Sequence, residues 1–262
     1  MTQNVTAILK QVVRKHSHQT LMIASQNRFF DFARDKFNRI EEFASNDLAL
    51  HRKVLYVTYI DSLSALVYPA YRQNRSRFTE FVIKFGNWAN AERVCTPHLA
   101  RALSLNPDPA YDKIRALVHE KLSAWRLCSH VELSADLEAS VVGTHWPSGK
   151  HYDQPVEGEA WTRLKHVELL YAFRNSLVHD FRQLGPGYDL PEDHDPYYTT
   201  THTVSGEDKT GSFHWELVYP EAFLRHLADT ALLATETHVC ANQINPADVL
   251  KTGKYWVTAL NR

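Results

Sequence analysis

LLYAFRNSLVHDFRQL, residues Leu169–Leu184, sets the reading of this chain. On a helix at about 100° per residue, Leu170, Phe173, Leu177, Phe181 and Leu184 fall in one stripe, within about 80° of arc. The pattern predicts an amphipathic helix over Ala160–Leu184, stopped by Gly185-Pro186-Gly187, with that stripe in the core.

The polar side of the same helix carries the chemistry. His179 lies about 160–200° from the stripe centre, flanked by Glu168, Asn175 and Arg182. Asn175 and His179, at i and i+4, are neighbours that can hydrogen-bond. Arg174 sits at the edge of the stripe, about 140° of rotation from His179. On a straight helix the two do not stack, so a reaction served by both is better presented by two copies about a two-fold axis.

Arginine is a permanent cation whose fork matches phosphate oxygens. Histidine takes or gives a proton near neutral pH. Asparagine can fix the imidazole tautomer or donate to an oxyanion. Together they suit metal-free phosphodiester transesterification in RNA, where the 2′-hydroxyl is an internal nucleophile. Glutamate, arginine, asparagine and histidine together also make an ordinary solvated helix face, and composition alone favours that plainer reading.

Outward from this stretch, most of the chain reads as helices. Val5–Val13 and Met22–Phe43 have helical spacing, the latter through Phe29, Phe32, Ala33, Phe37, Ile40 and Phe43. Val54–Tyr68 is apolar enough for a central buried helix closed by Pro69, and Arg72–Phe85 points Phe78, Phe81, Val82 and Phe85 inward. Pro97, Pro107 and Pro109 keep the next helices short. Tyr111–Trp125 resumes the helical period, Ser134–Val142 reads as a short helix, and His145–Glu159 reads as a loop. Thr199–Val204 and Phe213–Tyr219, around a Gly/Asp/Lys turn, read as a β-hairpin. Pro220 opens a last long helix to about Asn242, and the tail Asn245–Arg262 is weakly determined. YDKIRALVHEKL (Tyr111–Leu122) echoes the motif helix, with one residue fewer between Arg115 and His119 and no asparagine; it reads as chance. The expectation is a mainly α chain of one domain, 1–262, with one hairpin near residues 199–219.

Bulk properties bound the function. With 262 residues, 44% hydrophobic and 23% charged, the chain can bury a large core. A net charge of −1, from 29 basic and 30 acidic residues, gives no global basic field for nucleic acid, though a local basic groove is compatible. Cys95, Cys128 and Cys240 are odd in number and form no CxxC pair, which fits a reducing cytosol. The N-terminus lacks the apolar run of a signal peptide and no stretch approaches 18 apolar residues, so a soluble, cytoplasmic protein without membrane contact is expected.

FRNSLVHDF resembles the R-x4–6-H signature of the HEPN superfamily, with Arg174 followed by Asn175 and four residues before His179. The resemblance implies a HEPN-like helical bundle, with a core of roughly 20–184 and the hairpin and last helix (185–242) as elaborations. It also implies a metal-independent endoribonuclease acting as a homodimer on RNA, as a toxin or antiviral defence effector. On that pattern His179 is the general acid/base, Arg174 holds the scissile phosphate and Asn175 supports. Other members are non-catalytic nucleotide-binding, RNA-binding or assembly modules. No cofactor is implied, and any antitoxin or nucleotidyltransferase-type partner is unspecified.

Arg72, Arg75 and Arg77, beside Tyr71 and Phe78, form the best local basic patch for RNA phosphates, with Arg182 on the motif helix. His145, His151, His194, His202 and His214, near Asp153, Glu192, Asp193 and Asp195, and the pair Cys128–x–His130, lack the spacing of an established metal site. No metal is therefore expected.

Overall fold

The apolar run at Val54–Tyr68 becomes the centre of the structure. A computed structural model describes residues 2–43, 45, 48–150, 160–184, 193–205 and 210–250; for 2–18, 203–205 and 210–211 it describes the backbone path alone. The chain is mainly helical with a small three-stranded antiparallel sheet. Helix α2 (Ala49–Val67) buries Tyr56, Val57, Ile60, Leu63 and Leu66. It ends at Tyr68 (φ −122°), because the ring of Pro69 bars the α conformation to the residue before it.

Around α2 pack α1 (Thr2–Glu41), α3 (Asn74–Phe85), α7 (His166–Asn175) and α8 (Glu221–Ala241). As expected, α3 buries Phe78, Phe81, Val82 and Phe85. Each such side chain contributes about 1.5–3 kcal/mol over remaining exposed. Gly86 lets α3 meet α8, since a Cβ there would stand 2.6 Å from Leu227 Cδ1.

Helix α1 corrects the sequence reading twice. It is one helix of 40 residues, and its buried face is Gln26, Phe30, Ala33, Phe37 and Ile40. Phe32 and Phe43, placed in the stripe from sequence, are 58% and 44% exposed. The buried residues step by four and three, and the run Phe29-Phe30-x-Phe32 offered two overlapping stripes.

Between α3 and α7 the chain builds a second lobe from α4 (Thr96–Ser104), α5 (Asp112–Ser123) and α6 (Ala139–His145). Its own core includes Leu99, Leu103, Ile114, Val118, Trp146 and Trp161. The expected helix over Ser134–Val142 is instead a 3-10 turn, Leu133–Ala135, followed by α6. Departing and returning chain clip together: Cys95 N donates to Leu164 O (2.9 Å), His166 N to Arg93 O (3.0 Å) and Val167 N to Ala91 O (2.8 Å). These bonds fix where α7 starts.

The hairpin is β2 (Tyr197–Ser205) and β3 (Thr210–Val218), in register from Tyr197↔Val218 to Ser205↔Thr210, with β1 (Val131–Glu132) on the other edge of β2. Helix α8 begins after Pro220, as its fixed φ favours. Among the described residues no helix is long and apolar enough to cross a membrane. The expected Gly185-Pro186-Gly187 stop, the hairpin turn and the tail beyond residue 250 lie outside the described residues.

Candidate functional site

The motif helix is not the single straight helix expected over Ala160–Leu184. It opens with a 3-10 turn, Trp161–Leu164, continues as α7, and after Asn175 widens into one π turn, Ser176–Asp180. The turn ends at Phe181 in the left-handed region, φ 49° and ψ 41°. Phe181 N donates to Ser176 O, and so does Arg182 N (3.3 Å), while Ser176 Oγ donates to Arg182 O (2.8 Å). Buried Lys53 holds the next residues, donating to Gln183 Oε1 (3.1 Å) and Tyr219 O (2.9 Å). His51 of α2 rests edge-on against the Phe181 ring, centroids 5.2 Å apart. Together these contacts hold a left-handed phenylalanine that costs about 1–3 kcal/mol.

The wide turn changes which residues share a side. A π turn winds less per residue than an α turn, so His179 lies closer in rotation to Arg174 than the about 140° of a straight helix. The rotational mismatch from which a second subunit was expected is thus smaller than on a straight helix. Leu170, Phe173 and Leu177 are buried as expected, but Phe181 and Leu184 are 52% and 40% exposed. The expected Asn175–His179 hydrogen bond is not formed. Asn175 Oδ1 accepts from Arg174 Nη1 (2.9 Å) instead, and His179 is exposed with no hydrogen bond among the described residues.

Arg174 is held by a residue that the sequence reading missed. Its Nη2 donates to Asp61 Oδ2 at 2.7 Å, with side chains 11% and 17% exposed. Asp61 also accepts from Arg77 Nη2 (3.1 Å), and Arg77 Nε donates to Ser64 Oγ (3.1 Å). Exposed ion pairs contribute about 0–1 kcal/mol, but this one is largely withdrawn from water, where stranding one partner is costly. Arg174 Nε is buried without a hydrogen-bond partner among the described residues. The signal was present: Asp61 is the one acid inside the apolar run VLYVTYIDSLSALVY.

The predicted basic patch divides in the folded chain. Arg72 is exposed and makes no ion pair among the described residues. Arg75 donates from Nε to Glu168 Oε2 (2.6 Å) and lies over the Tyr171 ring (5.5 Å), as Arg174 does from the same helix (5.9 Å). Arg163 reaches the same Glu168 oxygen at 3.4 Å. Arg77 turns inward to Asp61, and Arg182 is exposed just past the π turn. Glu168, Tyr171 and Arg174, three residues apart on α7, thus line up facing α3 and α2.

A second polar cluster, also unforeseen, lies under the sheet. Asp136 accepts from Thr96 N (2.8 Å) and Tyr198 OH (2.7 Å), and its Oδ2 lies 2.7 Å from His166 Nε2. It caps α4 from outside that helix and ties it to α7 and β2. Burial, with Asp136 alongside, pushes the Cys95 thiol up to about 12, and burial likewise raises the Tyr198 phenol well above its ordinary value. The structural role of these residues left no period or motif to read.

Among the described residues no group of three or more His, Cys, Asp or Glu is arranged to hold a metal ion. His145 bonds Val141 O, His202 packs on Phe213, His214 meets Ser212 Oγ, and His130 stacks on Tyr197. His194 and Asp195 line a cleft of 370 Å³ with His130 and Glu132; His151, Asp153 and Glu192 lie outside the described residues. Comparison with protein-family models, curated proteins and solved structures finds no match to this chain.

Proposed function

We propose that the chain is a metal-independent endoribonuclease of HEPN type. The observation that supports this reading is the π turn, which brings exposed His179 rotationally closer to Arg174 than a straight helix would, while Asp61 and Asn175 hold the guanidinium. π turns of this kind are frequent at functional sites. In the proposed reaction the 2′-oxygen of RNA bonds to phosphorus as the bond from phosphorus to the 5′-oxygen breaks, leaving a 2′,3′-cyclic phosphate. Arg174 steadies the phosphate charge. One imidazole takes the 2′-hydroxyl proton and a second protonates the departing oxygen.

Two proton transfers at one phosphate ask for two imidazoles. A second copy of His179 supplies the other, so a homodimer belongs to the proposal on chemical grounds. Incubation with mixed RNAs in EDTA tests it: the wild type cleaves, and His179→Ala loses at least about 100-fold, the scale of removing a general acid or base. Equal activity in both proteins, or none in either, defeats the proposal.

One observation favours a second reading, a non-catalytic HEPN-like RNA-binding or assembly module. Arg174 is 11% exposed and already committed to Asp61, as a structural arginine is. Under that reading RNA binds without being cut, and His179→Ala changes nothing.

A further inference from the structure

Four guanidiniums on the α3–α7 face share two carboxylates. Arg77 and Arg174 meet at Asp61, and Arg75 and Arg163 meet at Glu168. Among the described residues the cluster therefore carries a surplus of two positive charges; Glu168 is 18% exposed, and Arg174 Nε is buried with no hydrogen-bond partner there. The two halves of the cluster respond differently. Arg77 and Arg174 are 16% and 11% exposed and turned into the protein, whereas Arg75 and Arg163 are 36% and 46% exposed. Among the described residues Arg75 engages Glu168 through Nε alone, which leaves both terminal nitrogens of its fork available there. Arg163 engages the same oxygen through one terminal nitrogen, at 3.4 Å.

A guanidinium anchored by Nε with its two terminal nitrogens outward is arranged to take two oxygens of a tetrahedral anion. Arg75 and Arg174 both lie within 6 Å of the Tyr171 ring centre, at 5.5 and 5.9 Å, so a single strand that touches Arg174 can also touch Arg75. We propose that Arg75 and Arg163, braced by Glu168, form a second phosphate site beside Arg174, and that single-stranded RNA runs from the π turn across the α3–α7 face. This rests on the ribonuclease reading for the identity of the strand. It reassigns the basic patch of the sequence: Arg75 stays a contact, Arg163 joins it, and Arg77 becomes internal bracing.

The experiment is fluorescence anisotropy with a labelled single-stranded oligonucleotide carrying 2′-fluoro sugars, which cannot be cleaved. Wild type, Arg75→Gln, Arg163→Gln and Lys113→Gln are titrated across a range of salt. One lost phosphate contact on a single strand lowers the slope of log K against log salt by about 0.7, hence affinity about fivefold at 0.1 M salt. Both arginine variants are expected to show that drop while Lys113→Gln, which removes an exposed charge from α5 in the second lobe, binds like the wild type. Arg163→Gln removes a long, half-exposed contact, so it keeps the test valid if Arg75→Gln disturbs the fold. Unchanged affinity and slope in Arg163→Gln and in folded Arg75→Gln overturn the site, as does a wild type that does not bind. Cleavage of ordinary RNA by the wild type and by His179→Ala reports separately on the nuclease reading, so failure of the phosphate site and failure of that reading give different results.

Discussion

Replacing Asp61 by asparagine removes the one anion that Arg77 and Arg174 share. The carboxylate accepts at 3.1 and 2.7 Å, and the three side chains are 17%, 16% and 11% exposed. Breaking a fully buried pair by deleting one partner costs about 3–5 kcal/mol, because the other charge is left stranded. Residual water access and the remaining amide oxygen reduce that here, to about 3 kcal/mol for Asp61→Asn. For a chain of this length the corresponding fall in melting temperature is about 6–12 °C. Urea denaturation gives the free energy directly, with an unchanged slope showing that the denatured state is the same. In Asp61→Asn/Arg174→Gln one of the two stranded cations is gone, so the double variant should be less unstable than the sum by about 1–2 kcal/mol. A single-variant loss below about 0.5 kcal/mol, the scale of an ordinary surface change, would refute the claim that Asp61 holds Arg174.

Further outcomes follow from other contacts. Ser176→Ala removes the hydroxyl that donates to Arg182 O; it should cost about 1–2 kcal/mol and speed amide exchange at Phe181 and Arg182 while leaving α2 protected. Cys95 has a folded pKa raised by burial to about 12 against 9.0 unfolded, so its contribution is intact below about pH 9 and is lost as pH rises toward 12. At pH 8 a thiol reagent should modify exposed Cys128 and Cys240 at once and Cys95 only on unfolding; three rapid equivalents would contradict the burial. Asp136→Ala strands Thr96 N and Tyr198 OH and should destabilise by about 3 kcal/mol or more, measured by denaturation. His51→Ala should leave RNA cleavage within about threefold if the second imidazole comes from another copy; a loss as large as that of His179→Ala would place it within one chain.

Where side chains repeat with the helical period, the sequence was legible. The inward face of α3, the centrality of α2, the hairpin and the start of α8 after Pro220 all follow from spacing and proline chemistry. The expected stripe in α1 drifted because Phe29, Phe30 and Phe32 support two registers. The π turn was not legible, because it arises from contacts outside its own segment: Ser176 closing on Arg182, Lys53 gripping Gln183, and His51 against Phe181. An ideal-helix projection therefore misplaced Phe181 and Leu184 and overstated the angle between Arg174 and His179. Asp61 and Asp136 were missed for a related reason. A lone acid in an apolar run signals a buried partner, yet nothing in one sequence says which arginine or histidine comes to meet it.

The most direct test of the proposed chemistry is end-group analysis of an RNA cut by this protein in EDTA, beside the same RNA carrying a single 2′-deoxy sugar at the cut. Transesterification through Arg174 and His179 predicts a 2′,3′-cyclic phosphate and a 5′-hydroxyl, with no cleavage at the deoxy position. A 5′-phosphate product, or equal cleavage at the deoxy position, would contradict it.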